Sequence, residues 1–482
     1  MRKIATSVIF LFLISFFFAC KTTNLPNEKT IITQNNSKIE SGKLENGMSF
    51  YLMKNDVPKN KVYISLLVKA GSVLEDENQI GAAHFIEHLA YCGTANFSKQ
   101  KILSFFDSLE CGYGPDVNSY TSFEETVYNL ELPSNDEKLL KTSLLLLSDF
   151  ASNVSFLNAD IENERKKILA EWDEFNKNDL KLSEKQANLL LEGSRFEKRL
   201  PLANQNAIKN ISKKNLVDFY KKWYVAQNMS IIVVGDIDVQ NVKKTVNDVF
   251  KNVSSSYNEE VINNKSFDVL EIKNKKLCVL NEKSDKTIAN VYFRQKDFNQ
   301  NDLQSVFVKQ VAYSVLNERF TNLYSDKKTS LIIAEIGDYY FTNKTLYGFL
   351  GFVSKKGEFL KAFENVLEEY NNFCKNGASS QEFEKYKNIF LEQVEKESRE
   401  KKSSNQYLKS IMQYELSGKN FVDEKELYKA YKNIILKMSL KDFNESVKSM
   451  LCSSGEAMFV ISSSNEKNFP SEKEIMSLWN GK

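Results

Sequence analysis

The chain has 482 residues, of which 42% are hydrophobic and 27% are charged, the ordinary balance of a globular protein that buries a large core. Its formal net charge is +2 and its basic residues are scattered, which argues against a nucleic-acid partner. The length corresponds to roughly two to four domains.

The first 20 residues predict a signal peptide. Arg2 and Lys3 form a charged start, and the apolar run Val8–Ala19 is too short to span a bilayer. A small residue followed by Cys20 closes the run, a pattern that resembles a bacterial lipoprotein cleavage site. We therefore predict an exported envelope protein whose lipidated Cys20 is its one contact with a membrane; ordinary secretion with an incidental cysteine is the alternative. Residues 21–38 are polar and predict a flexible tether.

Five cysteines remain after Cys20, at irregular spacing and without a C-x-x-C pair: Cys92, Cys111, Cys278, Cys374 and Cys452. An odd number at such spacing predicts small buried side chains and argues against a disulfide framework or a cysteine metal cluster. We therefore expect a fold that is held together by its core.

Residues 39–251 predict a first domain. Runs of β-branched and aliphatic residues predict strands, and helical periodicity with capping residues such as Ser98 predicts helices. The predicted strands are Met48–Met53, Val62–Lys69, a strand-and-turn segment over Asp116–Leu132, and Met229–Val234. The predicted helices are Gly81–Ala90, Ser98–Glu110, Asp136–Phe150, Asp160–Leu191, Ser212–Trp223 and Val239–Phe250.

The second half repeats this order. Residues 252–266 are polar and predict a linker to a second domain over 267–482. The predicted strands there are Lys276–Leu280, Ala289–Phe293, Ser330–Ile336, Tyr347–Val353 and Met458–Ile461, and the predicted helices are Gln304–Tyr324, Glu358–Cys374, Ser380–Lys401 and Leu440–Met450. The repeated order predicts an α+β protein of two similar domains in tandem, each a sheet flanked by helices.

Both histidines of the chain lie in the motif His84-Phe85-Ile86-Glu87-His88. On a helix, His84, Glu87 and His88 share one face. Two imidazoles one turn apart can bind one divalent metal, usually Zn²⁺, and the carboxylate between them can activate a water as general base. This is H-x-x-E-H, the inverted form of the zincin motif. A helix with two incidental histidines is the alternative, which the placement of both histidines in register weakens.

A catalytic zinc site takes three protein ligands and leaves one position open. Because the chain has no third histidine, the third ligand must be a carboxylate or a thiolate. The predicted helix over 160–191 offers Glu164 and Glu171, which lie two turns apart on one face. A solvated charged face would also explain this run, and the spacing alone leaves the choice open.

Several motifs, taken in order, resemble the bacterial branch of the pitrilysin/insulysin family of zinc peptidases. They are the histidine motif, Gly93-Thr94, Asn118-Ser119-Tyr120-Thr121-Ser122, Glu125-Thr126-Val127-Tyr128, Glu164-Arg165, Ile168-Leu169-Ala170-Glu171-Trp172 and Arg199-Leu200-Pro201. The resemblance covers about residues 44–250. It continues in the second half in layout and in pieces such as Leu316-Asn317-Glu318-Arg319.

The resemblance implies which residues form the zinc site and what each of them does. His84, His88 and Glu171 would bind one zinc ion, and Glu87 would be the general base. Glu164 would support the site from behind, by orienting a ligand or holding water.

The resemblance also implies how substrate is held. The domains of this family are α/β rolls that pair to enclose a chamber, and unfolded peptides enter it as an added strand. Asn118 and Ser119 would hold the backbone of the substrate, and Ser119 stands where the family usually has alanine. The predicted substrates are therefore peptides or unfolded protein segments.

One departure from the family concerns the oxyanion. Active members carry an Arg and a Tyr seven residues apart that stabilise the tetrahedral intermediate, and no Tyr follows any arginine here at that spacing. Residues 316–340 occupy the corresponding place, where Arg319, Tyr339 and Tyr340 are candidate substitutes. We therefore predict a zinc endopeptidase subunit completed by a second subunit with the Arg/Tyr pair, as a hetero- or homodimer. A non-catalytic binding or structural subunit of the same fold is the alternative.

Overall fold

The computed structural model describes most of both halves of the chain. The described residues are 38–109, 117–177, 180–202, 204–255, 274–280, 285–294, 302–325, 329–340, 342, 346–417, 421–452, 456–463 and 469–481. Among them, no helix combines the length and the apolar character needed to cross a membrane. The predicted signal peptide with Cys20, nearly all of the predicted tether, and Cys111 lie outside the described residues.

The described part of the first half forms six strands and eight α-helices. The strands are β1 (Ile39–Lys43), β2 (Ser49–Lys54), β3 (Val62–Val68), β4 (Val117–Thr121), β5 (Thr126–Leu132) and β6 (Met229–Gly235). The helices are α1 (Ala82–Ala90), α2 (Lys99–Ser108), α3 (Glu137–Ser152), α4 (Asn158–Lys177), α5 (Leu180–Leu191), α6 (Gln205–Asn210), α7 (Lys213–Trp223) and α8 (Val239–Phe250).

The strands of the first half form one sheet in the order β1-β2-β6-β3-β5-β4. β2 and β6 run parallel, and the other neighbouring pairs are antiparallel. β3 and β6 are buried along their whole length, as expected for apolar runs that are covered on both faces. β4 lies at the edge of this sheet beside β5, and therefore offers a backbone edge to an added strand.

The described part of the second half forms five strands and seven α-helices. The strands are β7 (Lys275–Leu280), β8 (Lys286–Phe293), β9 (Leu331–Tyr340), β10 (Leu346–Lys355) and β11 (Ala457–Ser463). The helices are α9 (Leu303–Ser325), α10 (Phe359–Asn376), α11 (Ser380–Arg399), α12 (Ser404–Ser417), α13 (Glu424–Lys437), α14 (Leu440–Leu451) and α15 (Glu472–Asn480).

The second sheet repeats the topology of the first. Its order is β7-β11-β8-β10-β9, with β7 and β11 parallel and the other pairs antiparallel. With β1 set aside, both sheets place their strands in the spatial order first, fifth, second, fourth, third. This confirms the prediction of an α+β fold with two similar halves.

The two halves exchange helices across their sheets. One face of each sheet packs against helices of its own half. The other face of the first sheet is covered by α12 of the second half, where Tyr407, Leu408 and Ile411 pack against Leu67 and Ile232. Burying this face against a helix from the other half ties the two halves together by the hydrophobic effect.

The reciprocal contact is made by α5 of the first half, which lies on the second sheet. Leu190 of α5 packs there against Tyr292, Tyr347 and Met458. Each half therefore covers an apolar sheet face of the other.

Most predicted elements are confirmed, and the predicted cap is seen directly. Ser98 accepts a hydrogen bond from a backbone amide in the first turn of α2, and Ser212 caps α7 in the same way. The helical stretch predicted over Asp160–Leu191 corresponds to α4 and α5, and residues 178–179 between them lie outside the described residues. The prediction omitted β1, α6, α12, α13 and α15.

The prediction that the cysteines form no disulfide is wrong for one pair. Cys374, near the end of α10, and Cys452, just after α14, form a disulfide with their Cα atoms 5.5 Å apart. The ends of two helices packed in the second core meet there, which a separation of 78 residues in sequence does not indicate. Cys92 is buried, as predicted, and Cys278 is half-buried.

Candidate metal centre

The motif helix α1 starts at a buried, fixed turn. Gly81 caps it with φ of 91°, a left-handed conformation that glycine adopts without strain. The buried carboxylate of Glu75 accepts hydrogen bonds from the amides of Gly81 (2.8 Å) and Ala83 (2.9 Å), which satisfies two of the free N–H groups of the first turn. The backbone carbonyl of Glu75 accepts hydrogen bonds from Arg195 and Arg199. These contacts set where α1 begins and how it is oriented.

Three side chains bring one donor atom each to a single point beside α1. The Nε2 atoms of His84 and His88 lie 3.3 Å apart, and Oε2 of Glu171 on α4 lies 3.7 Å from the first and 3.5 Å from the second. Ligands bound 2.0–2.1 Å from a tetrahedral zinc ion are about 3.3–3.4 Å apart, so these three atoms fit one such ion. Among the described residues, no other cluster of three or more potential ligands meets in this way.

The charges at this point favour a cation. Burial and the neighbouring His88 lower the pKa of His84 to about 4, so its imidazole is neutral at pH 7. Burial opposes charge on His88, but the carboxylates of Glu164 and Glu171 prevail and raise its pKa to about 9. The hydrogen bond with His88 lowers the pKa of Glu171. In the metal-free chain, a proton on His88 therefore supplies the positive charge that a metal would bring.

Glu164 lies behind the three donor atoms, on the same face of α4 as Glu171. Its Oε2 is 3.4 Å from Nδ1 of His88, which directs the Nε2 lone pair of the neutral ring toward the centre. Its Oε1 accepts hydrogen bonds from Lys167 (2.7 Å) and the thiol of Cys92 (3.1 Å). Burial opposes the charge, yet the three partners lower the pKa of Glu164 to about 2. This geometry suits a residue that orients His88 from behind.

Glu87 lies between the two histidines in α1 and is buried. The hydroxyl of Ser119 donates to its Oε1 at 2.6 Å, and the hydroxyl of Thr121 donates to its Oε2 at 2.7 Å. Burial raises the pKa of Glu87, and the two hydroxyls act in the opposite direction. A carboxylate with a raised pKa beside a metal site is a stronger proton acceptor than an ordinary glutamate.

The candidate substitutes for the oxyanion pair are residues of the second half, on α9 and β9. Arg319 on α9 donates to both oxygens of Glu382 at 2.7 and 2.8 Å and to Glu369 at 3.2 Å, which fastens α9 to α10 and α11. Its guanidinium is therefore committed to carboxylates of the second half. Tyr339 and Tyr340 are partly exposed at the end of β9.

The residues predicted from the family resemblance to hold substrate belong to β4. The backbone of Asn118 lies in β4 opposite β5, and its side chain lies outside the described residues. The side chain of Ser119 is turned toward Glu87. Sequence reasoning missed the contact of Thr121 with Glu87, that of Cys92 with Glu164, and that of Glu75 with the start of α1. The left-handed glycine before α1 marks where the helix starts, but no local pattern indicates which side chains reach it from other elements.

The second half has a different arrangement at the matching position. Its α9 follows β8 as α1 follows β3, and it contains no histidine. The buried ammonium of Lys309 on α9 lies 2.6 Å from Asp338 of β9, and the hydroxyl of Tyr313 donates to the same carboxylate at 2.8 Å. An internal ion pair thus joins helix and edge strand where the first half has Glu87, Ser119 and Thr121.

An inverted histidine motif, a carboxylate from a neighbouring helix and a duplicated α+β fold define the class of zinc metallopeptidases with the H-x-x-E-H motif. Residues 51–197 match the family model described as Insulinase (Peptidase family M16), and residues 210–390 match the model described as Peptidase M16 inactive domain. The chain therefore belongs to the insulinase family of peptidases, M16.

Two bacterial relatives carry the name of a probable zinc protease. Over 240 residues the chain is 37% identical to the "Probable zinc protease PqqL" of Haemophilus influenzae, a match that covers 50% of this chain and 26% of that protein. Over 305 residues it is 28% identical to the protein of the same name from Escherichia coli K12, which covers 63% of this chain and 31% of that protein. The chain thus matches less than a third of the length of either relative.

Solved structures show the same fold. The first half of the periplasmic protease PqqL from Escherichia coli superposes with a TM-score of 0.82 at 22% identity, covering 92% of this chain and 97% of that one. In the structure of the longer PqqL chain, the match covers 93% of this chain and 51% of that one. The chain therefore corresponds in fold to about half of that protein.

Proposed function

We propose that the chain is a zinc-dependent endopeptidase subunit that hydrolyses peptides or unfolded protein segments. The proposal rests on the convergence of His84, His88 and Glu171 at the spacing of ligands of one tetrahedral ion, with Glu87 on the same helix face. One zinc ion per chain follows from this set. The zinc protease names of the relatives support zinc as the metal.

The chain's own residues divide the chemistry between them. His84, His88 and Glu171 would hold the ion, and Glu164 would keep His88 in the ligating orientation. Zinc bound there would lower the pKa of a water to about 7 and polarise the substrate carbonyl. Glu87 would accept a proton from the attacking water and return it to the departing amine. Burial raises the pKa of Glu87, which makes its carboxylate a stronger proton acceptor and supports these roles.

The position of β4 at the edge of the sheet favours a substrate that binds in an extended conformation. β4 lies at the end of the sheet and also carries Ser119 and Thr121, which contact Glu87. A peptide that pairs with β4 as an added strand would pass beside the metal centre. Recognition through the backbone, to which Asn118 would contribute, would explain tolerance of many peptide sequences.

A second subunit would complete the chamber. The chain corresponds in fold to about half of the longer PqqL structure, and it lacks an Arg/Tyr pair at the family spacing. We propose that the pair comes from a related subunit in a hetero- or homodimer. Loss of one oxyanion donor costs about 2.7–4 kcal/mol, or about 10²–10³ in kcat, so the chain alone would be a poor peptidase.

We also propose that the chain is exported to the bacterial envelope and carries lipid on Cys20. The disulfide between Cys374 and Cys452 supports an oxidising compartment, because such bonds are rare in the cytosol. The Escherichia coli PqqL of known structure is described as periplasmic.

The experiment that tests this function compares zinc-loaded and chelated protein on quenched fluorescent peptides. Glu87→Gln is measured in parallel, because it preserves all three proposed ligands. We expect slow hydrolysis that needs both zinc and Glu87, and that rises when a subunit with the Arg/Tyr pair is added. Peptide binding with no zinc-dependent hydrolysis, even with that subunit present, would establish the non-catalytic alternative.

A further inference from the structure

The carboxylate of Glu87 is held on both of its oxygens by one strand. Ser119 donates to Oε1 and Thr121 donates to Oε2, at 2.6 and 2.7 Å. Residues two apart in a strand point to the same face, so β4 presents both hydroxyls to α1 together. Two hydrogen bonds to the two oxygens of one carboxylate fix the position of the group and the plane in which it lies.

The strand that holds the carboxylate is also the edge strand of the sheet. β4 pairs with β5 through Ser119 opposite Tyr128 and Thr121 opposite Thr126, and it is the last strand of the sheet among the described residues. A peptide added along β4 would therefore dock on the same piece of backbone that positions the two hydroxyls. Any shift of β4 on docking would move Glu87 with it.

We propose that Ser119 and Thr121 form a hydroxyl clamp that aims the base, and that both are positioning residues for the reaction. The inference rests on the proposed peptidase function. A carboxylate base must lie within about 2.6–3.2 Å of the proton it takes. Misplacement by about 1 Å costs up to about 10²-fold in rate. Ser119 thus acts on the reaction through Glu87, while its backbone remains part of the docking strand.

The test uses the zinc-loaded full chain and separates kcat from KM on a quenched peptide. We expect Ser119→Ala and Thr121→Val each to lower kcat by about 10-fold, and the double variant to approach about 100-fold, the cost of misplacing a catalytic group. The affinity for zinc stays at the wild-type value, because neither hydroxyl is a zinc ligand. KM also stays at the wild-type value, because the backbone of β4 on which the peptide would dock is unchanged. Ser119→Thr, which keeps a hydroxyl, retains the wild-type kcat.

Ser65→Ala is the matched control. Ser65 is a buried serine in β3 of the same sheet, and its hydroxyl faces Met412 on the opposite side from Glu87. A fall in kcat for Ser119→Ala with none for Ser65→Ala supports the clamp. Equal kcat in both variants, or an increase in KM alone for Ser119→Ala, overturns it.

A second measurement does not depend on turnover. In a double-mutant cycle of Ser119→Ala and Glu87→Ala on the metal-free chain, we expect Ser119→Ala to lower Tm in the wild-type background and to leave it nearly unchanged once Glu87 is absent. If the wild-type chain shows no zinc-dependent hydrolysis, the proposed function fails and this cycle alone judges the clamp. Additive shifts in Tm then overturn the clamp, and non-additive shifts support it.

Discussion

Three glutamates of one helix provide a direct test of which carboxylate binds zinc. Glu171 contributes an oxygen to the centre, Glu164 lies behind His88, and Glu174 is exposed one turn further along α4. Changing each to glutamine removes the same charge from the same helix. Partners behind a ligand typically contribute 10–100-fold to metal affinity, so Glu164→Gln should weaken zinc by about 1.4–2.7 kcal/mol. Glu171→Gln removes a ligand and should weaken it by more than that.

The assay is zinc competition against a chelator of known affinity, with the circular dichroism spectrum of each variant as a check on folding. Glu174→Gln should bind zinc as the wild type does, which measures the effect of charge alone. The result that refutes the reasoning is a reversed order, in which Glu164→Gln loses more affinity than Glu171→Gln. Glu164 would then be the third ligand, and the 3.4 Å contact with Nδ1 of His88 would not persist in the zinc-bound protein.

Four further outcomes follow from the geometry. Glu87→Gln should keep its zinc and lose about 10²–10⁴ in hydrolysis rate, so loss of metal by that variant would contradict its role as base. The proton on His88 stabilises the metal-free fold below pH 6.5, and this stability is lost as pH rises through the raised pKa of about 9. Zinc should therefore release about one proton at pH 7, which calorimetry in buffers of different ionisation enthalpy measures and which unchanged heats would refute. Mass spectrometry of a non-reduced digest should find Cys374 joined to Cys452, and free thiols at both in exported protein would contradict the structure. Cys20→Ala should move the protein to the soluble envelope fraction, unless the wild type is already soluble with a different N-terminus.

The features that the sequence predicted are those encoded by local spacing. His84, Glu87 and His88 fall on one helix face because 3.6 residues make a turn, and Glu164 and Glu171 share a face for the same reason. The order of strands and helices along the chain followed from the repeated pattern of apolar runs. Spacing alone left the third ligand open; the position of Glu171 became visible only when α4 was packed against α1.

The features that sequence reasoning missed depend on contacts between distant elements. Glu75 caps α1 from a segment that carries no capping signature, and Ser119 reaches Glu87 from a strand that follows it by more than 30 residues. α12 has an apolar face, and that face packs against the sheet of the other half. Only the folded backbone shows which surface such a helix covers.

The two halves are connected by the covalent chain and by the exchange of α5 and α12. Of these two connections, the exchange of helices is the stronger. A chain cut between residues 255 and 274 would stay together, because separation would expose an apolar face of each sheet at about 25 cal/mol per Å². Either half made alone would carry a large uncovered patch and would tend to aggregate. The arrangement is that of a symmetric dimer whose subunits each lend a helix to the other, joined into a single chain.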